Sequence, residues 1–307
     1  MYVPMKDILT HASENNYACI AACGVDLEMV RGLIAAADKK KAPLIIIMGG
    51  MQMARMATPA LMIPLIKTLA EATPSPIAAC LDHGRDYAKV AYAYRHGFSS
   101  VMIDGSTLPM EENISVTRQV VALCHPQDIS VEGELGHVGQ AMAGDGQEAS
   151  LYTRPEDAAA YAAATGVDCL AVAVGTAHGK YPDGYIPKLD FERIQAIKKA
   201  VGNLPLALHG SSGSGDENIK QAVKAGINKI NVATELLEAC KNGIGRALQA
   251  DADADYISVM QSGEHACGRL LEHWLELSGS CGRADEIPYR SRISKLQPDF
   301  GELDKGE

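Results

Sequence analysis

Three histidines carry the strongest chemical signal in this chain. His83, His178 and His209 each follow a short apolar run and each precede a glycine, in Asp82-His83-Gly84, His178-Gly179 and His209-Gly210. Three imidazoles that meet at one point leave an open coordination position on a divalent cation, which is how a catalytic zinc is held. Taken singly, each reads first as a core or helix-capping histidine. Asp82 adjoins His83 and suits a general acid/base, although its spacing equally suits a cap for the following helix. Asp104 and Glu134 are candidates for a second metal or for orienting the histidines from behind. Glu132 and Glu134 are two residues apart on one predicted strand, so both face the same side. For an anion there are two loops, residues 210–216 and Asn231-Val232-Ala233-Thr234, each rich in small or hydroxyl residues and each opening a helix. Backbone N–H groups at such a helix start suit a phosphate.

These residues need a frame that gathers them, and the hydropathy pattern supplies one. Apolar runs at 17–22, 43–48, 77–81, 100–103, 129–134, 169–174, 205–208 and 229–232 alternate with helix-like segments such as 27–40, 59–72, 87–96, 111–124, 154–164, 191–201 and 219–225. Near-continuous apolar strands between amphipathic helices indicate a parallel sheet covered on both faces. Eight such units predict an α/β fold, a TIM (β/α)8 barrel, forming a single catalytic domain over residues 1–283 with a polar tail at 284–307. A GxGxxG fingerprint after the first strand is absent, which argues against a dinucleotide fold. Hydroxyls at Thr58 and Thr153 are expected to cap helices that begin at the prolines after them. Pro64 falls inside a predicted helix and is expected to kink it or delay its start. Residues 48–56 and 140–150 read as long loops over the catalytic face. In a barrel that face lies at the strand C-termini, where His83, His178 and His209 all fall. Their shared placement turns three ambiguous histidines into one metal site.

The bulk composition narrows the partners. The 307 residues are 47% hydrophobic with a net charge of −10, and the pI is about 5.4. Nucleic acid and anionic membranes would be repelled at long range. No apolar run reaches 18 residues, and the first ten residues lack a signal-peptide core. The eight cysteines contain no Cys-x-x-Cys pair, which suggests buried thiols in a reducing cytoplasm.

In Leu81-Asp82-His83, Val101–Ser106, Glu132-Gly133-Glu134-Leu135-Gly136, Gly175–Gly179, Leu208–Gly213 and Asn231–Leu236 the chain resembles the class II fructose/tagatose-bisphosphate aldolases, nearest to the tagatose-bisphosphate type. The resemblance runs over residues 1–283, in family order and spacing. It implies zinc on His83, His178 and His209, with Asp82 moving the proton at the hydroxyl of the cleaved bond. It also implies that Gly179, Gly210, Ser211, Ser212, Asn231, Val232, Ala233 and Thr234 hold dihydroxyacetone phosphate. Some members place a second metal on Asp104 and Glu134, and a monovalent cation is a further cofactor the resemblance allows. The substrate would be a phosphorylated ketose, the assembly a homodimer or homotetramer, and the apolar stretch after residue 265 the expected contact.

Physically, a zinc ion would polarise the ketone and stabilise the charge that cleavage leaves, so no Schiff-base lysine is required. No lysine occurs among the strand ends. Two stretches depart from the family pattern. Cys23 stands where the family carries a substrate-contacting asparagine, and 49–55 replaces a polar loop with a serine or threonine. The sugar is therefore not tied to fructose or tagatose bisphosphate. The same charge chemistry without cleavage would serve a phosphosugar isomerase or epimerase, and a catalytically weak paralogue would keep the same frame.

Overall fold

The computed structural model describes residues 1–141, 147–182 and 184–288. Eight parallel strands form the frame: β1 (Cys19–Cys23), β2 (Leu44–Gly49), β3 (Ile77–Gly84), β4 (Ser100–Ile103), β5 (Ser130–Leu135), β6 (Cys169–Val172), β7 (Leu206–Leu208) and β8 (Ile227–Val232). They close in sequence order, with β8 returning to β1 so that Cys19 lies beside Lys229 and Ala21 beside Asn231. This is the barrel the alternating pattern predicts. In β2, Leu44 to Met48 are all buried, as expected for a strand covered on both faces.

One element escaped the pattern. The helix Met5–Glu14 lies across the N-terminal end of the barrel and acts as its floor. Its cap residue Pro4 offers no side-chain acceptor. The free N–H groups of Met5 and Lys6 instead donate to Ser100 Oγ and Ser130 Oγ, both at 2.9 Å, which are the first residues of β4 and β5. Lys198 Nζ secures the far end by donating to Ser13 Oγ at 2.6 Å, and to Leu204 O and Asn228 Oδ1 at 2.9 Å. A run of only ten residues with mixed polarity is a weak periodic signal.

Several local expectations change. Residues Gly50–Arg55 form a short helix instead of an open loop, because Met, Gln, Ala and Arg all favour helix. Thr58 makes no capping bond. Thr153 Oγ1 is drawn away from its helix: it donates to Leu135 O and accepts from Ala173 N at 2.8 Å, joining the ends of β5 and β6. Pro64 does not delay the helix, which runs through it from Pro59 to Glu71; it sits on the exposed side, where water can serve the carbonyl its missing N–H would have met.

The long helix Tyr256–Leu277 packs on Leu27–Lys39, and the two approach closely at Gly32, where an added Cβ would lie 2.6 Å from Glu264 O. Ala266, Cys267, Leu271, Trp274 and Leu275 are buried within the chain, so the apolar stretch after residue 265 faces inward and is not a free subunit contact. Past residue 283 the backbone still belongs to the fold: Ala284 N donates to Lys41 O at 2.9 Å, and Ala284 and Ile287 are buried. The remainder of the predicted tail lies outside the described residues, as do 142–146 of the loop 140–150. No helix among the described residues is long and apolar enough to cross a membrane.

A buried polar cluster braces β5 from outside. Asn113 Nδ2 donates to Glu134 O at 2.9 Å, and Tyr161 Oη bonds Asn113 Oδ1 at 3.1 Å and Thr117 Oγ1 at 2.7 Å. The phenol fits only because residue 133 is glycine; a Cβ there would sit 2.5 Å from Tyr161 Oη. Gly133→Ala is expected to lower unfolding free energy by about 1–3 kcal/mol through overpacking. Adding Tyr161→Phe, which removes the clashing oxygen, should restore part of that loss in urea unfolding, and purely additive losses would refute this account.

Candidate active site

Successive residues of a strand normally face opposite sides, yet Asp82 and His83 both enter the barrel mouth. The reason is a register shift between β3 and β4 from Leu81 to Gly84, with His83 in the left-handed region at φ 48°. A non-glycine residue there costs of order 1–3 kcal/mol, a strain typical of functional positions. Asp104 follows β4, Glu132 and Glu134 project inward from β5, and His209 follows β7.

His178 reaches the mouth by a different route. After β6 the chain forms a two-residue parallel ladder, Ala177–His178 against Gly139–Gln140. Tyr181 Oη accepts from Ala177 N at 2.7 Å and donates to Gly210 O at 3.4 Å, linking this ladder to the loop after β7. Gly210 has φ 65°, and a Cβ on it would lie 2.5 Å from the backbone of Ala177. Only glycine allows the two segments to touch, which brings His178 beside His209. Tyr181 was not among the sequence candidates, and nothing in its spacing marks it.

The three imidazoles converge. Ring centroids are 4.8 Å apart for His83–His178 and His83–His209, and 5.9 Å for His178–His209. One nitrogen from each lies within 4.8 Å of the others, and His83, Asp104 and Glu134 form a second such group. Carboxylates fix the tautomers. His83 Nδ1 is 2.9 Å from Asp104 Oδ2, and His209 Nε2 is 2.8 Å from Glu132 Oε1. Each of those nitrogens therefore carries the proton, since an ionised carboxylate only accepts. The remaining nitrogens, His83 Nε2 and His209 Nδ1, face each other at 3.1 Å. Two lone pairs so close require a cation between them, either a proton or a metal ion. Nitrogens bound to tetrahedral zinc at ~2.0–2.1 Å stand roughly 3.3 Å apart, so the spacing fits. Glu134 Oε2 is buried without a hydrogen-bond donor, 3.6 Å from His83 Nδ1, which also suits an adjacent cation.

The electrostatics separate the groups sharply. Burial works against charging His83, but Asp82, the Asp104 hydrogen bond and Glu134 lift its pKa to about 9. Burial and then the charges of His83 and His209 lower His178 to about 3, so its ring is neutral. Burial also lowers His209, against the pull of Glu132. Asp104 lies well below the ordinary range; burial would raise it, and the His83 and Ser106 hydrogen bonds overcome that. Burial, then Asp104, raises Glu134 to about 8. Glu132 is equally buried yet is brought down to about 2 by Lys229 and His209.

Lys229 is the residue the sequence reading missed. Although no lysine occurs at a strand end, this one lies a layer deeper, 1% exposed, with Nζ 2.8 Å from Glu132 Oε2. The available signal was its place in Ile227-Asn228-Lys229-Ile230-Asn231-Val232, two residues before Asn231 and so on the same strand face. Burial would discharge it, but Glu132 holds its pKa above the ordinary lysine value. It is a fixed ammonium and not an amine nucleophile.

A cleft beside the histidines is lined by Asp82, His178, Gly179, Gly210, Ser211, Ser212, Asn231, Ala233, Thr234 and Ile47. Of the residues expected at a phosphate, Val232 does not line it and is fully buried. Ser211 does line it, but its hydroxyl donates to Asn231 O, leaving its backbone N–H as the group a ligand could use. Asn231 Nδ2 donates to Asp82 Oδ1 at 3.0 Å. Cys23 is buried at the end of β1, its thiol pushed up to about 12, first by burial. Arg55 is exposed at the end of its short helix.

Residues 3–283 match the family described as class II fructose-bisphosphate aldolase. Among solved structures, the YdjI aldolase from Escherichia coli K12 is 32% identical with a TM-score of 0.82, over 92% of this chain and all of that one. A putative fructose-1,6-bisphosphate aldolase from Coccidioides immitis is 29% identical, TM-score 0.78, over 91% of this chain and 97% of its own. The fructose-bisphosphate aldolase of Campylobacter jejuni, at 22% identity, TM-score 0.77 and 91% and 96% coverage, is alike in fold. With a match spanning nearly its whole length, around a barrel mouth that gathers three imidazoles and a carboxylate, the chain belongs to the class II fructose-bisphosphate aldolase family and is an aldolase, a carbon–carbon lyase.

Proposed function

We propose that this enzyme reversibly cleaves a phosphorylated ketose to dihydroxyacetone phosphate and an aldehyde, with zinc held by His83, His178 and His209. The observation that carries this reading is the pair of carboxylate-locked imidazoles whose free nitrogens face each other at 3.1 Å beside Asp82. When bound, zinc supplies an electrophile for the ketone oxygen and for the negative charge that cleavage leaves there.

The chain's own residues do the remainder. Asp82 Oδ1, 4.0 Å from His83 Nε2, accepts the proton of the hydroxyl at the breaking bond and returns it in the synthetic direction. Asn231 holds that carboxylate by its amide N–H. Backbone N–H groups of Gly179, Gly210, Ser211 and Ser212, with Ala233 and Thr234 at the start of the helix Thr234–Ala250, receive the phosphate. Anchoring the phosphate fixes the carbonyl against the metal position and makes the reaction effectively unimolecular. We assign Asp104 and Glu134, with His83, to a second cation position, which the orphaned Glu134 Oε2 supports. The tagatose-bisphosphate type remains our nearest assignment. Cys23 pairs with Ile47 of the cleft and follows Ala22, which pairs with Val232, so this departure from the family, with the helix Gly50–Arg55, puts the divergence in specificity at the aldehyde half or the phosphate rim.

Eight free thiols support a reducing, cytoplasmic setting. A homodimer or homotetramer is our expectation for the assembly. With the stretch after residue 265 buried, exposed Tyr256 and Ile257 are better contact candidates.

Two measurements test the reading. A coupled assay for dihydroxyacetone phosphate across ketose 1-phosphates and bisphosphates should find a cleaved substrate, with activity lost on chelation and restored by zinc. No product from any sugar, with zinc bound, would favour an isomerase or epimerase or an inactive paralogue instead. Separately, Asp82→Asn should keep one equivalent of zinc and lower kcat by about 10²–10⁴-fold, the usual range for removing a general acid/base. A loss confined to KM would exclude that role.

A further inference from the structure

An ion pair and a hydrogen bond leave the buried ammonium of Lys229 and lead to different parts of the site. One passes from Nζ to Glu132 Oε2 at 2.8 Å and from Glu132 Oε1 to His209 Nε2 at 2.8 Å. The other passes from Nζ to Asn231 Oδ1 at 2.6 Å and from Asn231 Nδ2 to Asp82 Oδ1 at 3.0 Å.

The chemistry of the donors makes both routes directional. An ammonium donates and cannot accept, so the amide oxygen of Asn231 must face Lys229 and its NH₂ must face Asp82. A flipped amide would set donor against donor at Lys229 and acceptor against acceptor at Asp82. Glu132, held as a carboxylate, accepts from His209 Nε2–H and leaves Nδ1 with the lone pair directed at His83. Lys229 itself does not line the cleft. Its surroundings are the small thiols of Cys19, Cys80 and Cys169, all fully buried and uncharged, which leave room for the pair.

We infer that Lys229 is a positioning residue for the aldol reaction, holding Asp82 through Asn231 and His209 through Glu132. This rests on the zinc-aldolase reading above. The competing account is that Lys229 only neutralises Glu132. Removing both charges separates the two, because replacing a buried pair by neutral groups of similar shape is commonly tolerated.

The experiment compares Lys229→Met, the charge-free pair Lys229→Met/Glu132→Gln, and Lys198→Met as a half-buried, hydrogen-bonded lysine at the opposite end of the barrel. Each is measured for thermal unfolding, for zinc affinity of the apo-protein by competition with a chelating dye, and for kcat and KM. The single Lys229 variant leaves Glu132 without its buried counter-ion and is expected to unfold at a lower temperature. The charge-free pair is the decisive protein, whether or not the single variant folds. It should fold, with zinc affinity and kcat at saturating zinc each reduced ~10–100-fold, as for other partners behind metal ligands, and with a smaller change in KM. Lys198→Met should lose stability yet keep kcat within twofold of wild type. Recovery of either zinc affinity or kcat in the charge-free pair to within threefold of wild type overturns the inference. Failure of the aldolase reading would appear differently, as a wild-type protein that releases no dihydroxyacetone phosphate.

Discussion

The bond between a buried carboxylate and one imidazole nitrogen, made once by Asp104 to His83 and once by Glu132 to His209, is the constraint on which the site depends. Each bond assigns the proton to one side of its ring and so decides which nitrogen is left to bind a cation. Without them, the close approach of His83 Nε2 and His209 Nδ1 would be an indeterminate contact between two tautomer mixtures. With them, it is a preorganised pair of donors in surroundings that do not need to rearrange when charge arrives.

The backbone is bent to serve those bonds. A register shift and a left-handed His83 place consecutive residues on one face of β3, something a regular strand cannot do. Gly210 lets the loop after β7 touch the Ala177–His178 ladder, and Tyr181 ties the two together. Thr153 clamps β5 to β6, and Asn113 with Tyr161 braces β5 from outside. These fixings surround the mouth. The floor is closed independently by the first helix and by Lys198.

The interior electrostatics follow from which charges have partners. Glu132 and Glu134 are neighbours on one face of one strand and both buried, yet one lies near 2 and the other near 8. Glu132 has an ammonium and an imidazole within 2.8 Å; Glu134 has Asp104 as a like charge and no donor on Oε2. A buried ion pair contributes little net stability by itself, so the Lys229–Glu132 pair is better explained by the geometry it enforces.

What the sequence by itself determined is the frame and the roster. Eight apolar runs separated by amphipathic stretches specify a barrel, because burial on both strand faces leaves few other arrangements. Glycine-flanked His83, His178 and His209 at strand ends then identify the chemistry, since strand ends in a barrel share one rim. The tertiary structure alone decided how the residues cooperate. Lys229 reads as an ordinary charged residue until closure brings β8 opposite β5 and supplies Glu132 as its counter-ion. Thr153 reads as a helix cap until Ala173 and Leu135 come within reach. The stretch after residue 265 reads as a subunit contact until the helix Leu27–Lys39 covers it. Apolar periodicity is local, fixed within each segment by the need to bury one or both faces. Hydrogen-bond and charge partners lie tens to hundreds of residues apart, and only folding chooses among them.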